Sequence, residues 1–85
     1  MAKGKAVVLM ASERDMEFCR EIAETLKILE VDYEFRVGSA HKTPEQVLET
    51  LKEFEKENVV YITVAGRSNA LSAFVDFNTP KPVIA

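Results

Sequence analysis

Three short polar segments of this chain carry residue types that can do chemistry. The first is Ala11-Ser12-Glu13-Arg14-Asp15, the second Gly38-Ser39-Ala40-His41-Lys42-Thr43, and the third Ala65-Gly66-Arg67-Ser68-Asn69. Each directly follows an apolar run and precedes a helix-patterned stretch. Each therefore feeds a helix N-terminus, where free N–H groups and the positive dipole end favour an anion. Lys42 or Arg67 could add a charge-assisted hydrogen bond, and Ser12 or Ser39 could complete a phosphate shell. Asp15 suits the hydroxyls of a sugar. Together these residues read as a site for a phosphorylated sugar or nucleotide. Simpler roles compete at each position: Ser12 and Thr43 as helix N-caps, Asp15 as a first-turn dipole partner, Lys42 and Arg67 as solvated charges. His41, in a strand-exit loop among small residues and a lysine, is poorly placed for a core role. Cys19 falls on a helical apolar stripe and reads as core. The stretch from Glu49 to Glu57, laced with Lys52 and Lys56, reads as a solvated helix face.

The elements that must position these segments are legible from hydrophobic periodicity. Four runs read as strands: Ala6–Met10, Tyr33–Val37, Val59–Val64 and Pro82–Ile84. The first, third and fourth are apolar on both faces, as parallel strands covered by helices are. The second alternates, with Glu34 and Arg36 outward, and reads as an edge. A helix is expected from about Arg14 to Glu30, with Met16, Cys19, Ile22, Ala23, Leu26 and Leu29 on its apolar stripe. A second begins at Thr43-Pro44-Glu45-Gln46, with Thr43 as N-cap, Pro44 in the first turn and Gln46 closing a capping box. Its expected buried face is Val47, Leu48, Leu51 and Phe54. A third helix is expected from about Asn69 to Phe77.

The order β-α-β-α-β-α-β implies an α/β fold: a three-layer, flavodoxin-like parallel sheet of strand order 2-1-3-4, its ligand site beyond the carboxyl ends of the strands. In that order the first helix covers strands 1 and 2, and the other two helices take the opposite face. One face of strands 3 and 4 is then left uncovered, to be covered by a partner subunit or a further segment.

Composition narrows the function. The chain has 85 residues, 11 basic and 14 acidic, for a net charge of −3. That size is one small domain at most, and the charge argues against a nucleic-acid binder. No run approaches a membrane span, and the first residues lack a secretory signal. A soluble, cytoplasmic chain without nucleic-acid or membrane partners is expected. One cysteine and one histidine supply no metal set. Neither G-x-x-x-x-G-K-[ST] nor G-x-G-x-x-G is present, which removes the usual supports for nucleoside triphosphates and dinucleotides.

At the three loops the sequence resembles the PurE family of purine biosynthesis. The family's first loop reads M-G-S-x-S-D, against Met10-Ala11-Ser12-Glu13-Arg14-Asp15 here. Its second, S-A-H-[RK]-T-P, is matched throughout by Ser39-Ala40-His41-Lys42-Thr43-Pro44. Its third, A-G-R-S-N-[AG]-L, is matched by Ala65 through Leu71. Lys42 and Arg67-Ser68-Asn69 resemble the class II branch, the aminoimidazole ribonucleotide carboxylases, more than the N5-carboxyaminoimidazole ribonucleotide mutases. The resemblance implies that Ser12, Asp15, Ser39 and Lys42 hold the ribose phosphate and that His41 shuttles the proton. It implies that Gly66, Arg67 and Ser68 line the pocket for carbon dioxide, which enters as co-substrate with no cofactor or metal. It also implies a homo-oligomer, an octamer in the family. The mutase, a nucleotide-binding module without turnover, and a structural fragment that folds only in an oligomer stand as alternatives. Three positions depart from the pattern: Ala11 and Ala73 replace glycines, and Arg14 replaces a serine. Arg14 either crowds the phosphate loop or strengthens it. Family members are roughly twice as long, so residues 1–85 are expected to be a single nucleotide-binding domain equivalent to an N-terminal half, ending after the fourth strand.

Overall fold

The computed structural model describes residues 4–39, 42–65 and 70–84. Strand β1 (Lys5–Met10) leads through a 3-10 turn (Glu13–Asp15) into α1 (Met16–Ile28) and then β2 (Asp32–Val37). Helix α2 (Pro44–Glu53), strand β3 (Val59–Val64), helix α3 (Ala70–Asn78) and strand β4 (Val83–Ile84) complete the order. The four strands form one parallel sheet ordered β2-β1-β3-β4. This is the expected flavodoxin-like arrangement. Its reversal of strand order between β1→β2 and β1→β3 opens a crevice beyond the strand ends.

β1 lies inside the sheet, between β2 and β3, and every residue after Lys5 is apolar and buried. Alternate side chains serve two cores. Val7 and Leu9 pack with Val59, Tyr61, Val47, Leu51, Phe54, Leu71 and Val75 on the face covered by α2 and α3. Ala6, Val8 and Met10 pack with Cys19 and Leu26 of α1 on the other face. Each fully buried Val or Leu is worth about 1.5–3 kcal/mol, so β1 alone anchors both layers.

Coverage is unequal, as the topology requires. On β3, Val59, Tyr61 and Thr63 are buried under α2 and α3, whereas Val60, Ile62 and Val64 remain half-buried. Ile84, the register partner of Ile62, is 55% exposed. A groove of about 480 Å³ runs along this face, lined by Leu26, Val31, Val60, Ile62 and Ile84 among others.

Several local expectations are corrected. α1 proper begins at Met16 because residues 13–15 take the tighter 3-10 form, with Ser12 as its cap. Leu29 lies past the last helical residue and is 65% exposed, so it leaves the apolar stripe. On α2, Leu48 is 43% exposed and Thr50 is buried in its place. Burial of Thr50 is tolerated because its Oγ1 donates to the Gln46 carbonyl at 3.0 Å. Thr43 occupies the N-cap position of α2, but its side chain makes no cap hydrogen bond.

Candidate functional site

Backbone hydrogen bonds that extend the parallel ladder hold the strand exits side by side. Gly38 N–H donates to the Met10 carbonyl at 2.9 Å, and Ala11 N–H donates to the Val64 carbonyl at 2.9 Å. The segments leaving β1, β2 and β3 therefore start from adjacent points on the carboxyl edge of the sheet. This edge is where open α/β sheets bind ligands.

In the first segment, Ser12 has extended backbone, and its Oγ accepts from Arg14 N–H at 3.1 Å. Its carbonyl accepts from Asp15 N–H at 3.0 Å. The capping role weighed for Ser12 is thus realised. It does not exhaust the group, since an accepting hydroxyl keeps its own proton to donate. Asp15 stands at the N-cap position of α1 without a side-chain cap bond, and it is half-buried. Burial, and secondarily the charge of Asp15, raises the Cys19 thiol above its ordinary pKa, so Cys19 is an inert core thiol at neutral pH.

In the second segment Ser39 is tied to Lys42 and Thr43. Lys42 N–H donates to Ser39 Oγ at 3.1 Å, Ser39 N–H donates to Thr43 Oγ1 at 2.8 Å, and Thr43 N–H donates to the Ser39 carbonyl at 3.0 Å. Ser39 is half-buried and Lys42 exposed. Behind them Gly38 is buried against α2, where a Cβ at position 38 would come within 2.8 Å of Val47 Cγ2. A cavity of about 260 Å³ lies along Lys42, Thr43, Pro44, Glu45 and Gln46. Larger hollows, of about 690 and 480 Å³, involve Lys5, Glu30 and Val31 at the opposite edge of the sheet, away from these segments.

Of the residues expected in the site, the structure places Ser12, Asp15, Ser39 and Lys42 on neighbouring segments of one edge. His41, Gly66, Arg67 and Ser68 lie outside the described residues. Two residues that sequence reasoning did not assign to the site shape it: Gly38 by allowing close approach to α2, and Thr43 by bonding to Ser39. The signal for Gly38 was a glycine at a strand exit next to a helix. For Thr43, a threonine before Pro44 signalled the start of a helix and gave no sign of the bond to Ser39. Among the described residues no group of three or more His, Cys, Asp or Glu is placed to hold a metal ion. Nor does any helix among them have the length and apolarity to cross a membrane.

Comparison with known proteins agrees with this arrangement. The family model for AIR carboxylase matches residues 5–85. A phosphoribosylaminoimidazole carboxylase of Archaeoglobus fulgidus is 59% identical over 81 residues, covering 95% of this chain and 45% of that protein. An N5-carboxyaminoimidazole ribonucleotide mutase of Saccharolobus solfataricus is 44% identical over 81 residues, covering 94% of this chain and 51% of that protein. The crystal structure of Treponema denticola PurE superposes with a TM-score of 0.93 at 46% identity, over 98% of this chain and 54% of that one. The chain spans about half the length of the curated relatives it matches. With its sequence matched across both sheet edges and its strand order that of a solved PurE, the chain belongs to the AIR carboxylase family.

Proposed function

We propose that this chain supplies the nucleotide-binding half of an aminoimidazole ribonucleotide carboxylase, which joins carbon dioxide to the aminoimidazole ring in purine biosynthesis. The carrying observation is the 59% identity to a phosphoribosylaminoimidazole carboxylase, with Ser12, Asp15, Ser39 and Lys42 held on adjacent strand exits. In this reading the four side chains hold the ribose phosphate, and Gly66, Arg67 and Ser68 line the carbon dioxide pocket. Residues 1–85 act as one nucleotide-binding unit, without a cofactor, within a cytoplasmic homo-oligomer.

The chemistry suits these residue types. The aminoimidazole is an enamine-like carbon nucleophile. A carbon–carbon bond forms as the ring carbon attacks carbon dioxide, leaving that carbon with both a proton and a carboxylate. Aromaticity returns when His41 takes the proton, and the reverse reaction returns it. An imidazole with a pKa near 6.5 does this in both directions at neutral pH. Backbone N–H groups stabilise the developing carboxylate. The mutase is the second reading, favoured by the 44% identity to the Saccharolobus solfataricus protein.

His41→Asn, made in the 85-residue chain and in a full-length relative, tests the assignment. Turnover is expected to vanish while nucleotide binding persists. Near-normal turnover in the variant rules out His41 as the proton shuttle. Dependence on bicarbonate or carbon dioxide, rather than on the N-carboxylated nucleotide, separates carboxylase from mutase.

A further inference from the structure

We propose that Thr43 is a positioning residue of this site, acting as a latch that sets the placement of Ser39 and Lys42. This rests on the reading of the second segment as the phosphate-holding loop. A threonine at a helix N-cap ordinarily turns its hydroxyl forward to the N–H groups of the first turn. Here it makes no such bond, and the N–H groups of Gln46 and Val47 both donate to the Thr43 carbonyl, at 3.0 and 3.3 Å. The hydroxyl instead turns backward and accepts from Ser39 N–H at 2.8 Å.

Three hydrogen bonds then tie Ser39 to Lys42 and Thr43. Ser39 N–H meets Thr43 Oγ1, Thr43 N–H meets the Ser39 carbonyl, and Lys42 N–H meets Ser39 Oγ. The frame around them is rigid. Gly38 is bonded to the end of β1 and packed on Val47, while Thr43 leads directly into α2. The Thr43 hydroxyl therefore fixes the Ser39 backbone, and through the Ser39–Lys42 bond the placement of Lys42, against the entry to a helix whose inner face is core. Binding sites gain from such pre-organisation because less ordering is required when ligand arrives. Thr43 acts through its neighbours and not by contact with substrate.

The test compares Thr43→Val, which keeps the shape and loses the acceptor, with Thr43→Ser, which keeps the acceptor. Amide hydrogen exchange at Ser39 and along 46–51 is read beside calorimetric affinity for aminoimidazole ribonucleotide. Thr43→Val is expected to lose Ser39 protection and to weaken affinity about tenfold or more, with exchange along 46–51 unchanged. Thr43→Ser is expected to restore both. Lost protection along 46–51 with Ser39 unaffected identifies an ordinary helix cap and overturns the proposal. So does equal affinity of Thr43→Val and wild type. Should Thr43→Val fail to fold, an unprotected Ser39 amide in the wild-type chain overturns it equally. A wild-type chain that does not bind the nucleotide, with Ser39 protected, overturns the reading of the site and the positioning role with it.

Discussion

Gly38 and Val47 are in contact so close that no side chain fits between them: a Cβ at position 38 would meet Val47 Cγ2 at 2.8 Å and Val47 N at 3.4 Å. The strand-exit segment therefore rests directly on the first turns of α2, whose Val47 is fully buried in the core.

Gly38→Ala should consequently destabilise the chain. Overpacking of this kind costs about 1–3 kcal/mol, because the methyl meets a β-branched side chain and backbone that cannot swing away. The urea midpoint should fall. Combined with Val47→Ala, which opens the space, the loss should be smaller than the sum of the two single losses. Strict additivity would show that the contact is not the cause.

The junction of α1 and β2 holds the opposite kind of strain. Glu30 has φ 58, left-handed and not a glycine. It closes α1 in a Schellman arrangement, with Glu30 N–H on the Lys27 carbonyl at 3.0 Å and Val31 N–H on the Leu26 carbonyl at 2.8 Å. An L-residue in that conformation costs about 1–2 kcal/mol, partly offset by the greater unfolded-state freedom of glycine. Glu30→Gly is expected to stabilise the chain by about 0.5–1 kcal/mol, read as a higher urea midpoint with unchanged slope. A lower midpoint would contradict this.

Tyr61 is fully buried among Phe54, Leu71 and Val75, and its hydroxyl has no hydrogen-bond partner among the described residues. Desolvation, and then the charges of Glu53 and Glu57, pushes its pKa above the ordinary tyrosine value. Removing an unpaired buried hydroxyl leaves the packing intact. Tyr61→Phe is expected to be neutral or stabilising by up to about 1 kcal/mol. A loss of stability in thermal unfolding would show that the hydroxyl is bonded in solution.

Along the β2 edge, Lys5 Nζ reaches Glu34 at 2.7 Å and Glu57 at 3.3 Å, while Arg36 reaches Glu34 at 3.0 Å and Glu53 at 2.6 Å. Both cations also lie over the Phe54 ring, at 5.5 and 5.2 Å. The Lys5 hydrogen bond lowers the pKa of Glu34, and the Arg36 hydrogen bond lowers that of Glu53. Depressed carboxylate pKa values contribute stability that is fully present above the unfolded glutamate value of about 4.3. It is lost as pH falls through the folded values. Glu34→Gln with Glu53→Gln should therefore flatten the acid limb of the stability–pH curve. The gap from wild type should narrow below that limb and in high salt, since these side chains are partly exposed. An unchanged acid limb would show that the network contributes nothing.

Much of this molecule was legible in the sequence because its signals are local and periodic. Apolar runs of β-branched residues marked the strands, and their alternation with helical stripes dictated the strand order. That order in turn dictated which face of β3 and β4 lacks a helix. The polar motifs after each strand marked the candidate site residues by type and spacing, and of these Ser12, Asp15, Ser39 and Lys42 lie on adjacent strand exits. The sequence alone also carried the family, since the matched segments are contiguous.

Tertiary structure decided what depends on competition between partners distant in space. Leu48 fits the apolar stripe expected of α2, yet Thr50 is the residue buried, its hydroxyl bonded to the Gln46 carbonyl. The Thr43 hydroxyl could have faced the first turn of α2, and it accepts from Ser39 N–H instead. Gly38 stands in the sequence only as the first residue of the second polar segment, yet its small size matters because Val47 Cγ2 of α2 lies 2.8 Å from where its Cβ would be. In each case the residue type was compatible with two answers. Packing, which has no signature in a single linear window, selected one.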